Sequence, residues 1–101
     1  MSETLIERLA AAASLVPGVR RLEPSVTGGL RRMVAPRSVV DGVLLVQVDG
    51  RLEATVDVSV DRSRSALQTA TEVEQALTDL LRQEHDGPVA VTVRVLSIGS
   101  G

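Results

Sequence analysis

The sequence predicts an α+β fold, a two-layer sandwich in which two helices pack on one face of a mostly antiparallel sheet. Three observations predict it: an element order α-β-β-β-α-β, strands with one apolar face each, and helices with one apolar stripe each. Such one-sided elements bury their apolar surfaces most economically in two layers. The 101 residues suffice for one domain, residues 1–101, with flexible ends expected at 1–3 and 99–101.

The composition indicates an aliphatic core. Hydrophobic residues make up 44% of the chain and aromatic residues none, so we expect modest stability or the help of an oligomer interface. The lack of cysteine excludes disulfides, thiolate metal sites and Cys nucleophiles. No basic leader and no apolar run of about 20 residues is present. We therefore expect a cytoplasmic protein without direct membrane insertion, associated with a membrane only through a partner.

The first predicted helix runs from Thr4 to Leu15. Thr4 and Glu7 fit a capping box. Apolar residues recur at helical spacing, at Leu5, Leu9, Ala12, Ala13 and Val16. Pro17 followed by Gly18 ends the helix, which gives Gly18 a structural role. A short strand over residues 19–22 and an irregular loop over residues 23–37, rich in glycine and proline, are predicted next.

Two strands are predicted next, over residues 39–48 and 51–60. Apolar side chains occupy even positions in both: Val40, Leu44, Val46 and Val48, then Leu52, Ala54, Val56, Val58 and Val60. For even positions to face even positions, the hairpin loop must have three residues. We therefore predict a G1 bulge in which Gly50 is left-handed and Gln47 pairs with Arg51. In this register Val43 and Leu45 point to the solvent face.

The second predicted helix runs from about Ser65 to Glu84. Ser65 and Gln68 fit a capping box. One apolar stripe contains Leu67, Ala70, Val73, Leu77, Leu80 and Leu81. Gly87 is predicted as the C-cap, with Pro88 as the stop. The last strand, residues 89–98, is predicted to bury Val89, Val91, Val93 and Val95.

The acidic residues of the hairpin suggest a metal or catalytic site at first sight. Glu53 and Asp57 share the predicted solvent face, but residues four apart on a strand lie roughly 13 Å from each other. This distance is too long for one metal ion or a shared proton. The single histidine, His85, has no cysteine or second histidine to form a transition-metal site with. The sequence therefore predicts no catalytic residue, no metal and no cofactor, and the solvent side of a strand is the favoured interpretation.

Two surfaces remain as candidates for partner contact. Val43 and Leu45 are either covered by the 23–37 loop or form an apolar patch for self-association or a partner. Five arginines lie within residues 17–40, where there is a single acidic residue: Arg20, Arg21, Arg31, Arg32 and Arg37. This arginine cluster is either solvated or binds an anion, a nucleic acid or an anionic lipid. The lack of aromatic side chains makes nucleic acid the less favoured ligand.

Three segments resemble the alkaline shock protein family of Gram-positive bacterial envelope-stress proteins. They are LVPGVRRLE (15–23), DGVLLVQVDGRLEATVDVSVD (41–61) and DGPVAVTVRVLSIG (86–99). Residues 61–63 read Asp-Arg-Ser where the family often has Tyr-Gly, as expected of a divergent, minimal member. The resemblance implies a non-enzymatic cytoplasmic protein of envelope homeostasis that self-associates and in some members is held at the membrane by an anchoring protein.

We therefore expect an interaction or scaffold protein of the envelope stress response, forming weak homo-oligomers and binding protein partners. In one arrangement, the acidic face with Glu53 and Asp57 meets the arginine cluster of a neighbouring copy. The alternative is a nucleic-acid or anionic-lipid binding module that uses the same cluster. The two hypotheses differ in what the arginines contact, and salt-dependent binding separates them.

Overall fold

The computed structural model describes residues 4–23, 37–40 and 42–99. The helices and strands in chain order are α1 (Leu5–Ser14), β1 (Val19–Leu22), β2 (Arg37–Val40), β3 (Val43–Val48), β4 (Arg51–Asp61), α2 (Ala66–Glu84) and β5 (Val89–Gly99). Both helices pack on the same face of a mixed, mostly antiparallel sheet. The predicted α+β sandwich is confirmed, with one strand, β2, that was not predicted as a separate element.

Helix α1 begins where the sequence predicts. The Thr4 side chain accepts a hydrogen bond from the Glu7 amide, and the Glu7 carboxylate accepts one from the Thr4 amide at 3.0 Å. These reciprocal bonds form the predicted capping box. The buried side of α1 consists of Ile6, Leu9, Ala10 and Ala13. Small residues on this side let the helix approach the sheet closely.

Gly18 makes the turn from α1 into β1 possible. Its φ is +96°, and a Cβ atom there would lie 2.5 Å from Thr69 Oγ1 on α2. Its carbonyl accepts a hydrogen bond of 2.9 Å from the Asp61 amide at the end of β4. Glycine alone combines this backbone conformation with this close approach. The turn thereby joins α1 and β1 to α2 and β4.

Strand β4 is the centre of the sheet. On one edge it pairs antiparallel with β3 over residues 51–56 and with β1 over residues 58–60. Its other edge pairs in parallel with β5 over residues 52–61. Strands β1 and β3 therefore lie end to end along one edge. Where they meet, the Asp57 amide donates to the Gly42 carbonyl at 3.1 Å and the Asp57 carbonyl accepts from the Glu23 amide at 2.7 Å.

The predicted strand over residues 39–48 is wrong, because it is divided at Gly42. Val40 pairs with Val43 across a tight turn, and Gly42 has a φ of +86°. A Cβ at Gly42 would lie 2.7 Å from the carbonyl oxygen of Glu23. The Asp41-Gly42 dipeptide between the two valine-rich segments is typical of a two-residue hairpin turn, but the prediction placed it inside one strand. Residue 37 belongs to β2, and residues 24–36 of the predicted loop lie outside the described residues.

The predicted hairpin register is also wrong. Val48 pairs with Arg51, and both loop residues are left-handed, Asp49 at φ +51° and Gly50 at φ +78°. This is the pattern of a two-residue type I′ turn, which suits the twist of the flanking strands. The prediction assumed that the apolar parity of β3 marks its helix-facing side. Because β3 is buried on both faces, the parity of its apolar residues does not indicate which side faces the helices.

The core lies between the helices and the helix-facing side of the sheet. The α2 side chains that complete it are Thr69, Val73, Leu77 and Leu81, all with 0% exposure. Ser65 caps α2 by accepting a hydrogen bond of 3.3 Å from the Gln68 amide. The β4 side chains of this core are Leu52, Ala54, Val56, Val58 and Val60. Even positions of β4 thus face the helices, as predicted.

Helix α2 ends differently from the prediction. Its C-cap is His85, with an extended backbone, so the predicted C-cap role of Gly87 is wrong. His85 Nε2 instead lies 2.9 Å from the Gly50 carbonyl oxygen, and a Cβ on Gly87 would lie 2.7 Å from that same oxygen. Because Gly87 has no side chain, the tip of the β3–β4 hairpin can pack closely against it.

Candidate interaction surfaces

Strand β5 forms one edge of the sheet and is half-exposed along its length. Among the described residues it pairs with β4 alone. Its helix-facing valines are only partly buried, and every residue between them is exposed: the valines are Val89, Val91, Val93 and Val95. Near the end of the strand, Ile98 is 55% exposed. The apolar layer under α2 therefore continues to the edge of the sheet without being closed there.

The backbone of β5 has an orientation that follows from one hydrogen bond. The Leu52 amide donates to the Pro88 carbonyl at 3.0 Å. In a parallel ladder this places the amides and carbonyls of even-numbered β5 residues toward β4, and those of odd-numbered residues toward the free edge. The valines of the half-buried stripe thus also carry the outward backbone groups. An unpaired row of this kind accepts a further strand.

A bulge at Leu96 ends the regular part of β5. Val95 pairs with Val58, whereas Ser97 pairs with Ser59, so Leu96 is the extra residue. The inserted residue reverses the side-chain alternation, so that Ile98 rather than Ser97 shares the face of Val60. The regular outward edge therefore spans residues 89–95.

The prediction that Val43 and Leu45 lie on the solvent face is wrong, and with it falls the apolar patch that was one of the two alternatives for them. Val43 is 0% exposed and pairs with Val56, and Leu45 is half-buried and pairs with Ala54. Both point to the helices because the hairpin loop has two residues instead of three. Leu44 and Val46 lie on the opposite face and are buried as well. Neither face of β3 presents an exposed apolar surface.

The predicted acidic surface is half correct. Glu53 is partly exposed, with its Oε2 2.7 Å from Arg51 Nε. Asp57 shares its face but is 0% exposed, so its predicted exposure is wrong. Alternation places both residues away from the helices, yet the two ends of β4 have different surroundings. The head-to-tail contact proposed from the sequence therefore loses one of its two carboxylates.

Asp57 is a buried carboxylate whose loss of hydration is only weakly offset by neighbouring groups. Neither of its oxygens has a hydrogen-bond donor among the described residues, and the nearest charge is Arg94 Nε on β5, 3.7 Å from Oδ1. Burial raises the pKa of Asp57, and the charge of Arg94 opposes part of that rise. The carboxylate sits where β1 and β3 meet β4, and the strand pairing there holds it in place.

A second polar group lies beside Asp57 on the same face. The Ser59 hydroxyl donates to Glu23 Oε2 and contacts the Ser97 hydroxyl, and Arg21 Nε lies 3.0 Å from the same Glu23 oxygen. The hydrogen bond from Ser59, followed by that from Arg21, lowers the pKa of Glu23. These contacts connect β1 to β4 and β5, and the Arg21 guanidinium balances the charge of the Glu23 carboxylate.

The arginine cluster is only partly described. Arg20 and Arg21 are exposed on β1, and Arg37 begins β2. Arg21 pairs with Glu23, while the Arg20 guanidinium lies over Gly99, where a Cβ atom would have no room. Arg31 and Arg32 lie outside the described residues. Both described side chains are thus in contact with this chain's own strands.

The described residues contain no group of three histidine, cysteine, aspartate or glutamate side chains that could hold a metal ion. His85, the C-cap of α2, contacts the Gly50 carbonyl in the turn between β3 and β4. Within residues 4–23 and 42–99, neither helix is long and apolar enough to cross a membrane.

Sequence reasoning missed the edge at β5 and the burial of Asp57. The alternating valines of residues 89–95 indicate a strand with one apolar face, but not which strands lie beside it. One usable signal was the charge in the middle of that strand, Arg94, since charges are common on strands at a sheet edge. The carboxylate at position 57 gave no comparable signal.

No protein-family model matches the chain, and no curated protein matches it. Among solved structures it is similar to a doubly substituted form of the MamM CTD, a cation diffusion facilitator C-terminal domain. The identity is 18%, the TM-score is 0.52, and the match covers 96% of this chain and 93% of that one. A singly substituted MamM CTD matches at 18% identity, with a TM-score of 0.50 and coverage of 96% and 98%. At this identity the likeness shows a shared α+β fold.

Proposed function

We propose that the chain is a non-enzymatic protein-interaction module that acts by self-association. The observation that carries this proposal is the outer edge of β5, with which no described residue pairs and where four half-buried valines also carry the outward backbone groups. Edge strands of soluble proteins are usually short, bulged or charged to prevent pairing. Here the one charge within residues 89–95, Arg94, is drawn toward Asp57 of its own chain.

The composition supports the same proposal. A core without aromatic side chains buries less area per residue than an ordinary one. Covering the β5 valines with another protein surface removes further apolar area from water, and this contributes about 25 cal/mol per Å². On this proposal the module gains stability from association, which is one of the two outcomes that the composition predicts.

The fold likeness supports an interaction module only as an analogy between folds. The MamM CTD is a domain of a cation diffusion facilitator. The described carboxylates of the present chain form no three-residue ligand group, so we derive no metal site from that likeness. Placement in the envelope stress response, with an anchoring partner at the membrane, is a proposal that depends on the resemblance to the alkaline shock protein family.

Sedimentation velocity over a range of protein concentrations tests the proposal. We expect the weight-average mass to rise from that of a monomer toward twice that value, and to change little between low and high salt, because the contact is apolar and backbone-mediated. A monomer at every concentration up to about 1 mM would contradict self-association. Loss of the larger species at high salt would instead favour a contact between charges, such as the arginine cluster and an acidic surface.

A partner search in cells tests the placement in stress physiology. The chain carrying an affinity tag is recovered from stressed and unstressed cells, and co-purifying proteins are identified by mass spectrometry. We expect a membrane protein that is enriched with the native chain and absent with a variant of the β5 edge. Recovery of nucleic acid in place of protein would support the alternative binding module.

A further inference from the structure

We propose that two copies of the chain pair antiparallel through residues 89–95, about a two-fold axis that passes through Thr92. The two sheets become one continuous sheet, with the helices of both copies on the same side. This inference rests on the proposed self-association and specifies its surface and register. It follows from three features of β5: the direction of its backbone groups, the position of its bulge and the symmetry of its side chains.

The backbone groups determine which residues pair. Odd-numbered residues of β5 turn their amides and carbonyls away from β4, as the hydrogen bond from Leu52 to Pro88 requires. An antiparallel neighbour related by a two-fold axis must pair odd with odd residues, so that both apolar stripes stay on the helix side. With the axis at Thr92, Val91 pairs with Val93 of the second copy, and Val89 with Val95.

The bulge at Leu96 determines how far the pairing extends. Beyond Val95 the alternation reverses, so outward groups and apolar side chains no longer match a regular partner strand. Pro88, at the other end, turns its carbonyl toward β4 and lacks an amide donor. The regular edge thus spans seven residues with Thr92 at its centre, and only an axis at Thr92 pairs all four outward residues with one another.

The side chains of residues 89–95 are compatible with this symmetry. The four valines pair only with valines, and Arg94 lies opposite Ala90 of the second copy. Moving the axis to Arg94 would place the two Arg94 Cβ atoms about 5 Å apart, and like charges directly opposite each other are destabilising. Moving it to Val93 would place Val89 opposite Ser97, beyond the bulge. The chemistry of the strand therefore selects the register that its geometry allows.

The pairing is expected to be weak. An edge of seven residues, with the valines beside it, buries less than the roughly 1,200 Å² of a stable specific interface. We expect a dimer with a dissociation constant in the micromolar range or above, populated at high local concentration. Such a contact suits a scaffold whose copies are concentrated by another protein.

Single-cysteine variants test the register directly, because the chain has no native cysteine. Thr92 is exposed, and it turns its backbone toward β4, so it meets its counterpart as a non-hydrogen-bonded pair with a Cα separation of about 4.5 Å. This separation lies within the range that a disulfide bridges. We expect Thr92→Cys to form a reducible covalent dimer on mild oxidation.

Ala90→Cys is the matched control, since it is exposed on the same face of the same strand. In the proposed register its two copies lie about 14 Å apart, beyond the reach of a disulfide. Ala90→Cys alone is therefore expected to crosslink at least 10-fold more slowly than Thr92→Cys. Mixed with Arg94→Cys, however, it is expected to give a crosslinked heterodimer.

The outcomes separate the inference from the proposed function. If the native chain dimerises in sedimentation but Ala90→Cys crosslinks as fast as Thr92→Cys, the contact lies elsewhere, and this inference is overturned while self-association stands. If the native chain is a monomer at every concentration, both are overturned. The circular dichroism spectrum of each reduced variant verifies that the fold is retained.

A charge variant gives a second, independent readout. Thr92→Lys places two ammonium groups close together at the proposed axis, and we expect the dissociation constant to rise at least 10-fold. Gln75→Lys adds the same charge to an exposed position of α2 and is expected to leave it unchanged. Equal dissociation constants for the two variants would overturn the proposed axis.

Discussion

Strands β3 and β5 flank the same central strand, and both are rich in valine, but their surroundings differ. Strand β3 has β2 along its outer edge and is buried on both faces through residue 46. Strand β5 has β4 on one side, and in the described residues nothing pairs with the other. The comparison shows that an apolar alternating sequence specifies a strand but not its neighbours. What distinguishes the two strands is the chain that covers them, and no described residue pairs with the outer edge of β5.

The largest effect is expected at the turn into β3, where β1 and β3 meet end to end. Gly42→Ala adds a Cβ 2.7 Å from the Glu23 carbonyl oxygen at a φ of +86°. The left-handed conformation and the steric conflict together should lower the free energy of unfolding by about 3 kcal/mol. Urea denaturation followed by circular dichroism measures this change.

Gly50→Ala is the matched control for that substitution. Gly50 has a similar φ of +78°, but no atom lies within 4 Å of its Cβ position. Only the conformational cost remains, so we expect a loss of about 1 kcal/mol. Equal losses at the two glycines would show that β1 and β3 are not packed tightly against each other.

The next largest effect is the loss of stability when a valine of β3 or of β5 is replaced by alanine. Val43→Ala removes two methyl groups from a side chain with 0% exposure and should cost about 2 kcal/mol. Val91→Ala, at a half-buried position of β5, should cost about 1 kcal/mol or less in dilute solution. A loss at Val91 that grows with protein concentration would indicate that a second copy covers the strand.

A smaller effect is expected at Asp57, where β3 and β1 meet on the face away from the helices. Asp57→Asn removes a buried charge that has no hydrogen-bond donor among the described residues, and it should raise the free energy of unfolding at pH 7 by on the order of 1 kcal/mol. A loss of stability would contradict the uncompensated burial, and would show that the attraction of Arg94 outweighs desolvation.

The pH dependence of this effect has a definite sign. Because burial raises the pKa of Asp57 in the folded state, its protonated form favours folding. That contribution is complete below the ordinary carboxyl pKa of about 3.9 and is lost as the pH rises through the folded value. The advantage of Asp57→Asn over the native chain should therefore be largest near neutral pH and shrink toward pH 4. A constant difference across this range would contradict the raised pKa.

The smallest effect is expected four residues earlier on the same face. Glu53 pairs with Arg51 at 2.7 Å, but both side chains are substantially exposed. Glu53→Gln should change the free energy of unfolding by less than about 0.5 kcal/mol, because exposed ion pairs contribute little. A large loss would mean that this end of β4 is as enclosed as the end with Asp57.

Local signals predicted much of the fold. The caps at Thr4 and Ser65 satisfy backbone groups within one turn, and the alternation of β4 matches its buried side. The fold class followed from these elements. The break at Gly42 was missed although Asp41-Gly42 is a local hairpin signal. The close packing of Gly87 against Gly50, which lies far from it in the chain, gave no local signal. No pattern within a single segment contains such contacts.

The candidate surface was less predictable than the fold for the same reason. The sequence analysis placed Val43 and Leu45 on the solvent face of the hairpin, as a patch or under the 23–37 loop, because apolar parity was taken to mark one side. A type I′ turn reversed that assignment. The valines of β5 were correctly placed on the helix-facing side, but their partial exposure depends on which strands lie beside them. Identification of the edge required the parallel pairing with β4.

Amide hydrogen exchange along β5, measured by NMR at low and high protein concentration, tests the central claim most directly. In dilute protein we predict slow exchange at Thr92, whose amide faces β4, and fast exchange at Val91 and Val93, whose amides face the free edge. At high concentration the amides of Val91 and Val93 should become protected while that of Thr92 changes little. Protection of Val91 and Val93 already in dilute monomer, or its absence in a concentrated dimer, would contradict the claim that β5 is the edge where two copies meet.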